Sequence, residues 1–470
     1  MKILFITSEA TPFASSGGLG DVMGALPFAI SKAGADASVI MPLYDTMDSN
    51  YKDRLKKVAD ISFKLSWRET GASIYIIEEG SVTYYFVENH RYFDRGRLYG
   101  EYDDCERFAF FSCAVMEYII QSGNIPDILH ANDWQSALSV VYLKTKYKNE
   151  KALNNIKTVF TIHNIEYQGK CGIDIIGDVL GIDSKYAGAL VHDGCANFMK
   201  GAIELADTVT TVSPNYANEL RYPYFAFGLS EVIKRAEHKL KGVINGIDYE
   251  FFSPDRGGDI DFPYNKFTRK KGKSKNKATI LHELEVGEFE ERPLLVMITR
   301  LTEGKGIDLM LHIAEELLAK PITLIVLGTG DKEYELAFRE LENRHKNIRA
   351  ILKFDRIMAK RLYASADIFI MPSKSEPCGL AQMIACSYGT VPIVRDVGGL
   401  RDTIISYPSK SSNGFTFENY NAHDLLFKIS EALELYRNTE EWDKLTLRAI
   451  KSSFAWDESA LKYIEIYSKI

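Results

Sequence analysis

The stretch Ser373-Lys374-Ser375-Glu376-Pro377-Cys378-Gly379-Leu380 places a carboxylate three residues before a glycine, between strand-like Ile368-Phe369-Ile370-Met371 and helix-like Ala381-Gln382-Met383-Ile384-Ala385-Cys386. A helix start leaves backbone N–H groups without partners and so suits an anion. The Glu376 carboxylate beside it can accept hydrogen bonds from neutral donors such as sugar hydroxyls. One loop would then hold a sugar and a phosphate together. A helix-capping acid is the other reading of Glu376.

Two cations stand at a comparable junction. Strand-like Leu294 to Thr299 runs into Arg300-Leu301-Thr302-Glu303-Gly304-Lys305-Gly306, so Arg300 closes a strand and Lys305 follows between two glycines. Both can project from the carboxyl edge of a sheet toward a departing diphosphate. A P-loop requires G-x-x-x-x-G-K-[ST], but position 306 is glycine, so ATP hydrolysis is not indicated. Surface ion pairing is the alternative for both cations.

The first half opens in the same way. Lys2-Ile3-Leu4-Phe5-Ile6-Thr7 precedes Ser15-Ser16-Gly17-Gly18-Leu19-Gly20-Asp21-Val22, which leads into an apolar stretch at helical spacing from Val22 to Ala33. Gly17 and Gly18 let the backbone approach a ligand with no Cβ between. Gly18, Gly20 and Gly24 give G-x-G-x-x-x-G rather than G-x-G-x-x-G, and the next strand ends at Pro42 with no acid to hold a ribose. A dinucleotide site is therefore a poor fit. Asp133 ends the strand in His130-Ala131-Asn132-Asp133-Trp134-Gln135, where it can meet hydroxyls or cap a helix. His163 and Asn164 follow the strand Thr158-Val159-Phe160-Thr161, a place where a histidine is often a core hydrogen bonder. Asp259-Ile260-Asp261 is the one strong lookalike of a metal-binding Asp-x-Asp, but it lies in a polar, linker-like stretch, and no metal site is expected.

The elements that must position these residues alternate between strand and helix patterns in both halves, the mark of parallel sheets covered by helices. The fold class expected is α/β, with two Rossmann-like domains. The changeover falls near Gly242-Val243-Ile244-Asn245-Gly246, ahead of the charge-rich stretch from Asp255 to Lys277. The expected divisions are residues 1–242, 243–455 and a C-terminal helix over 456–470, with Asp457 as its N-cap and an apolar face of Ala460, Leu461, Tyr463, Ile464 and Tyr467.

Composition excludes several classes. A chain of 470 residues with 46% apolar content is long enough for two or three full cores. A net charge of -7 argues against a broad nucleic-acid surface, and the basic run from Arg269 to Lys277 reads as a solvated loop. The six cysteines form no C-x-x-C pair, so neither a zinc ribbon nor a thioredoxin-like motif is indicated and a reduced chain is expected. No stretch approaches the roughly 20 apolar residues of a membrane span, and no targeting segment is evident, which fits a cytoplasmic protein.

The glycine loop at 15–20, His163-Asn164, Asn245-Gly246-Ile247-Asp248, Arg300 to Gly306 and Glu376-Pro377-Cys378-Gly379-Leu380 stand in the order found in glycogen and starch synthases. The chain resembles the bacterial-type, ADP-glucose-using members of that family from Met1 to the helix that begins at Trp456-Asp457.

The resemblance implies a GT-B architecture, with parallel sheets facing across a deep cleft and the last helix returning to the N-terminal domain. It assigns Arg300 and Lys305 to the donor phosphates, with Gly17, Gly18, Asp21 and the loop at Cys378, Gly379 and Leu380 nearby. Glu376 would bind glucose hydroxyls. His163 would lie against the transferred glucose and stabilise positive character at its anomeric carbon, with Asn245 also on the glucose. Asp133, Asn164 and Phe93 fall on the glucose or acceptor side, and Phe354 where the family holds adenine, although buried aromatic packing is the alternative for both phenylalanines. Two positions depart from the pattern. Ser15 stands where many members carry lysine, and Ile384 stands where broader glycosyltransferase families carry a second glutamate.

The expected activity is retaining transfer of glucose from ADP-glucose to the non-reducing end of an α-1,4-glucan, without a cofactor or metal, and with no nucleic-acid or membrane partner. The same reaction with UDP-glucose and a catalytically weak glucan-binding homologue are the alternatives. A glucan phosphorylase would share the two-domain plan but needs a lysine-bound pyridoxal phosphate.

Overall fold

Runs of β-branched and aromatic residues, punctuated by glycine, proline and asparagine, form the strands. The computed structural model describes residues 1–256, 258–286 and 290–470. They divide into one unit of Met1–Gly246 with Trp456–Ile470 and another of Ile247–Ala455. The changeover therefore lies after Gly246, four residues beyond the expected 242, and the last helix belongs to the first unit.

The first unit contains β1 (Lys2–Ile6), β2 (Asp36–Pro42), β3 (Lys56–Leu65), β4 (Arg68–Glu79), β5 (Val82–Glu88), β6 (Ile128–Asn132), β7 (Lys157–Ile162), β8 (Lys170–Cys171), β9 (Val191–His192), β10 (Cys195–Asn197), β11 (Thr208–Thr211) and β12 (Leu240–Gly242). Its main sheet runs β12-β11-β7-β6-β1-β2-β5-β4-β3. The pairing is parallel from β12 to β5, and β4 and β3 add an antiparallel edge. Strands β8, β10 and β9 form a small antiparallel sheet. Because β1 lies between β2 and β6, the strand order reverses beside it. In open α/β sheets such a switch point leaves a crevice at the carboxyl ends of the strands, and there the loops after β1 and β6 carry the glycine loop and Asp133.

The second unit contains β13 (Leu294–Ile298), β14 (Thr323–Leu327), β15 (Ile348–Ile351), β16 (Ile368–Met371), β17 (Val391–Arg395) and β18 (Phe415–Phe417). Its sheet runs β15-β14-β13-β16-β17-β18 and is parallel throughout. Leu295, Met297, Leu324 and Val326 point from it into a core shared with Ile307, Met310, Leu317 and Leu425. The switch point here lies between β13 and β16. The loops after these two strands hold Arg300, Lys305 and Glu376.

The last helix, Trp456–Ser468, joins the first unit through specific contacts. Tyr467 and His130 share a 2.7 Å hydrogen bond, the Ser459 hydroxyl donates to Ile244 O at 2.6 Å, and Lys32 pairs with Asp457 at 3.0 Å. Gly246 is required here, since a Cβ would lie 2.7 Å from the Trp456 nitrogen. Asp457 sits inside the first helical turn, not at the N-cap, and Leu461 faces solvent while Trp456, Ala460, Tyr463 and Tyr467 are buried.

The basic run forms no loop. It begins the helix Arg269–Glu283, in which Arg269, Lys273 and Lys277 recur every four residues and are buried on one face. Each has a partner. Arg269 pairs with Asp443 and Lys277 with Asp367, and the Lys273 ammonium donates to Tyr363 O, Tyr388 O and the Thr390 hydroxyl. Among the described residues no helix is long and apolar enough to cross a membrane.

Candidate active site

In the second unit two glycines bring the cation and the acid together. Gly306 has φ +72°, and a Cβ there would lie 2.2 Å from Pro372 O, so only glycine lets the Lys305 loop dock on the start of the Glu376 loop. Lys374 N donates to Gly304 O at 3.0 Å and staples the same two loops. The Lys305 ammonium then meets Glu376 Oε2 at 2.6 Å, and the Ser373 hydroxyl donates to that oxygen at 3.0 Å. Arg300 lies exposed two residues beyond β13 and has no ion-pair partner among the described residues.

Glu376 does not cap a helix. The helix Ala381–Ser387 starts without a side-chain cap, and the Glu376 carboxylate is turned to Lys305 instead. The loop between them is clamped from two sides. Gly399 N donates to Glu376 O at 3.0 Å, and a Cβ on Gly399 would fall 2.3 Å from Cys378 O. The Gln382 amide donates to Cys378 O and Gly379 O, at 3.1 and 2.9 Å, while its buried Oε1 has no hydrogen-bond partner among the described residues. Sequence reasoning passed over Gln382. Its signal is one amide in the otherwise apolar run Ala381-Gln382-Met383-Ile384-Ala385. The Cys378 side chain is buried, so what it can offer a ligand is backbone. Phe354 follows β15 and is 85% exposed, which overturns buried packing as its role.

In the first unit the glycine loop is anchored by a buried acid that sequence reasoning also passed over. Glu9 accepts from Ser16 N at 2.5 Å, from the Ser16 hydroxyl at 2.7 Å and from the Tyr99 hydroxyl at 2.5 Å. A Cβ at Gly17 or Gly18 would meet no protein atom within 4 Å, so packing requires neither glycine. Gly20 differs, because a Cβ there would lie 2.3 Å from the Ser15 hydroxyl oxygen. Ser15 itself is exposed, and among the described residues it bonds only within the loop, to Gly17 O at 3.3 Å. Asp21 stands in the first turn of the helix Gly18–Lys32, where the dipole favours it, and accepts from the Thr11 hydroxyl at 3.4 Å.

Asp133 makes no cap bond to the helix Trp134–Lys144 that follows it. Its Oδ1 accepts from His163 N at 2.7 Å and Asn164 N at 3.3 Å, and its backbone is held at φ +57°, a region costly for a residue other than glycine. Burial pushes its carboxyl up to about 7, against the pull of those two amides. His163 Nε2 lies 2.9 Å from Asn132 Oδ1. The Asn132 amide nitrogen already donates to Ile6 O and His130 O, so the oxygen must accept and the His163 proton is assigned to Nε2, leaving Nδ1 an acceptor. Burial pulls the imidazole down to about 3, so the ring is neutral. Asn164 Oδ1 accepts from Glu166 N at 3.0 Å and shapes the turn after His163. Asn245 is buried, and its Oδ1 has no hydrogen-bond partner among the described residues, an uncommon state for a buried acceptor.

Two expectations fail against this geometry. Phe93 cannot touch a sugar, because it is wholly buried among Tyr44, Phe110 and the Arg107 guanidinium. The fully reduced chain is replaced by a Cys105–Cys171 disulfide, with the two Cα atoms 6.6 Å apart. The two cysteines are 66 residues apart in sequence, and they meet because Gly169 turns at φ +64° against the Trp134 ring, which brings β8 to the helix Asp104–Ser122. Asp259 and Asp261 were read as a chance Asp-x-Asp, and each is engaged, by Lys360 at 2.5 Å and Arg361 at 3.1 Å.

Comparison with known proteins agrees over the whole chain. Residues 2–235 match the starch synthase catalytic domain, and residues 282–448 match glycosyl transferases group 1. A glycogen synthase of Alkaliphilus metalliredigens is 42% identical, covering 100% of both chains, and one of Geobacillus stearothermophilus is 40% identical, covering 100% of this chain and 98% of its own. The catalytic domain of starch synthase IV from Arabidopsis thaliana, solved bound to ADP and acarbose, is similar with a TM-score of 0.92 and 32% identity, covering 100% of this chain and 99% of that one.

Proposed function

The chain belongs to the glycogen and starch synthase family of glycosyltransferases, and on that premise we propose that it transfers glucose from ADP-glucose to the non-reducing end of an α-1,4-glucan with retention of configuration. The observation that carries the reading is the Lys305–Glu376 pair at 2.6 Å, formed by the loops after β13 and β16 at the switch point of the second sheet, with Arg300 in the first of these loops and without an ion-pair partner among the described residues. A charge for a phosphate and an acceptor for sugar hydroxyls are thereby presented by one loop cluster.

In the reaction the bond from the glucose anomeric carbon to the diphosphate breaks, and a bond from that carbon to the acceptor hydroxyl forms. The proton of that hydroxyl passes to the departing phosphate. Arg300 and Lys305 offset the charge that develops on the diphosphate, a type of contribution typically worth about 10²–10³ in rate per donor. Glu376 releases part of its hold on Lys305 and accepts from glucose hydroxyls. The amides of Gly379 and Leu380, the Cys378 backbone and the open backbone at Gly17 and Gly18 add donors for phosphate, and Phe354 offers a ring to the adenine.

His163, neutral and held by Asp133, turns electron-rich atoms toward an oxocarbenium-like carbon. The orphaned Asn245 oxygen suits a glucose hydroxyl. With two cations assigned to the leaving group and both acids of Asp259-Ile260-Asp261 engaged, metal-independent transfer is part of the proposal. A cytoplasmic location is part of it too, because nucleotide sugars are cytoplasmic metabolites, although the Cys105–Cys171 disulfide is unusual there.

The test is incubation with glycogen and radiolabelled ADP-glucose or UDP-glucose in parallel, with and without excess EDTA. Label should enter glucan from ADP-glucose in both conditions. No incorporation from either donor would overturn the activity. Loss in EDTA restored by manganese would overturn only metal independence.

A further inference from the structure

Four large aromatic side chains of the first unit stand in solvent, three of them within the short segment 222–227. Tyr167 is 52% exposed, Tyr222 63%, Tyr224 60% and Phe227 44%. Clusters of exposed rings usually mark a surface meant to be covered. Nor is Phe227 placed there for local stability. It ends the short helix Pro223–Ala226 in the left-handed region, at φ +47°, where glycine or asparagine is favoured.

Two sets of hydrogen bonds tie this segment to its surroundings. The Gln168 amide donates to Ile165 O and to Phe227 O, both at 3.0 Å, and accepts from Asn197 Nδ2 at 2.7 Å. The backbone of Phe227 is thus bonded to the loop that begins at His163. On the other side His192 Nε2 donates to Gly228 O at 3.0 Å. His192 ends β9, and the turn to β10 is Asp193-Gly194, with both residues at positive φ as a tight two-residue hairpin requires. That turn carries a solvent-facing Asp193 carboxylate, whose Oδ2 lies 3.9 Å from where a Cβ on Gly228 would sit.

An exposed ring and an exposed carboxylate therefore flank one glycine, next to the His163 loop. A glucose ring has an apolar face of C–H bonds and an edge of hydroxyl donors. The first stacks on an aromatic face, and the second donates to a carboxylate. An apolar peptide would gain from the rings but would leave the Asp193 charge desolvated.

We propose that Tyr224, Phe227 and Asp193 form an acceptor subsite that holds an internal glucose residue of the α-glucan, on the reducing side of the residue being extended. This rests on the reading of the chain as an α-glucan glucosyltransferase. The subsite adds to binding without touching the reacting atoms, so it matters for long acceptors and not for short ones.

The experiment compares initial rates on maltotriose, maltoheptaose and glycogen for the wild type, Phe227→Asn, Phe227→Tyr, Tyr224→Ala and Asp193→Asn. Asparagine tolerates the left-handed backbone and removes the ring, so Phe227→Asn tests stacking without adding strain. KM for maltoheptaose should rise about tenfold in Phe227→Asn, which corresponds to about 1.4 kcal/mol, and several-fold in Tyr224→Ala and Asp193→Asn. Phe227→Tyr should stay near wild type, and KM for ADP-glucose and kcat at saturating acceptor should hold throughout. Unchanged maltoheptaose KM in both Phe227→Asn and Tyr224→Ala overturns the subsite, as does a parallel rise in KM for ADP-glucose. If the wild type transfers no glucose from any donor, the functional reading fails first. Calorimetry with maltoheptaose then decides the subsite alone: binding that is lost in Phe227→Asn supports it, and absent or unaltered binding overturns it.

Discussion

The Asp133 carboxylate accepts the backbone N–H of His163 at 2.7 Å, although the two are 30 residues apart in the chain and follow different strands. It holds the following amide of Asn164 as well, at 3.3 Å. The position of His163 is thereby set by the end of β6 as much as by its own strand.

Removing that acceptor should move His163. Asp133→Ala is expected to lower kcat about a hundredfold, the scale of a misplaced reacting group, whereas Asp133→Asn keeps an oxygen for both amides and should lose much less. Steady-state rates on glycogen, with circular dichroism to check folding, make the comparison. An alanine variant within threefold of wild type would show that the His163 loop holds itself.

The same carboxyl predicts a pH effect of definite sign. Its folded pKa, about 7, is above the ordinary value of 3.8 because burial disfavours the ionised form. The folded chain therefore binds more protons than the unfolded one between these values, and the Asp133 contribution to stability is greatest below pH 4 and is lost as pH rises to 7. Denaturant midpoints of wild type and Asp133→Asn, taken from pH 4 to pH 8, should converge or cross in that direction. A difference that stays constant across the range counts against the raised pKa.

Lys305→Ala should act twice. Turnover should fall a few hundredfold, because leaving-group charge goes uncompensated, and stability should fall by about 3 kcal/mol, because Glu376 is left buried with only the Ser373 hydroxyl. Glu376→Ala should impair transfer while ADP affinity holds or rises, since Lys305 is then freed for phosphate. Calorimetry with ADP separates the two variants. Collapse of ADP affinity in Glu376→Ala would show that the acid shapes the phosphate site itself.

Donor choice should favour ADP-glucose, because the exposed Phe354 ring packs on a purine more extensively than on a pyrimidine. Ser15 is exposed, so Ser15→Lys can extend its charge without repacking the loop and should tighten both donors together. Specificity constants for the two donors in wild type and variant check both statements. A preference for UDP-glucose in the wild type removes the assignment of Phe354, and a ratio that changes with Ser15→Lys shows that position sensing the base.

Much of this was legible because it is local. Alternating strand and helix patterns marked the parallel strands of both sheets, and glycines next to charged residues marked the loops at their switch points. What escaped depends on partners distant in the chain. Lys305 and Glu376 were each assigned to a ligand, and nothing in their spacing showed that they face one another across 71 residues. Arg269, Lys273 and Lys277 read as solvated because a lysine is rarely buried; only the folded unit supplies the Asp443 and Asp367 carboxylates and the free carbonyls that make burial possible. Phe93 and Cys171 failed for the same reason, since a motif's neighbourhood says little about what lies above it in space.

The first unit is built from two separated stretches of chain, Met1–Gly246 and Trp456–Ile470, while the second is one continuous stretch between them. The sequence of the second unit is therefore complete before that of the first, although the first is begun earlier. The second has its whole sequence by residue 455, but the first waits for residues 456–470 before Tyr467 can reach His130 and Asp457 can reach Lys32. A nascent chain that stalls or is cut before Trp456 would leave its earlier-made half unfinished, with the surface meant for the closing helix bare to chaperones and proteases.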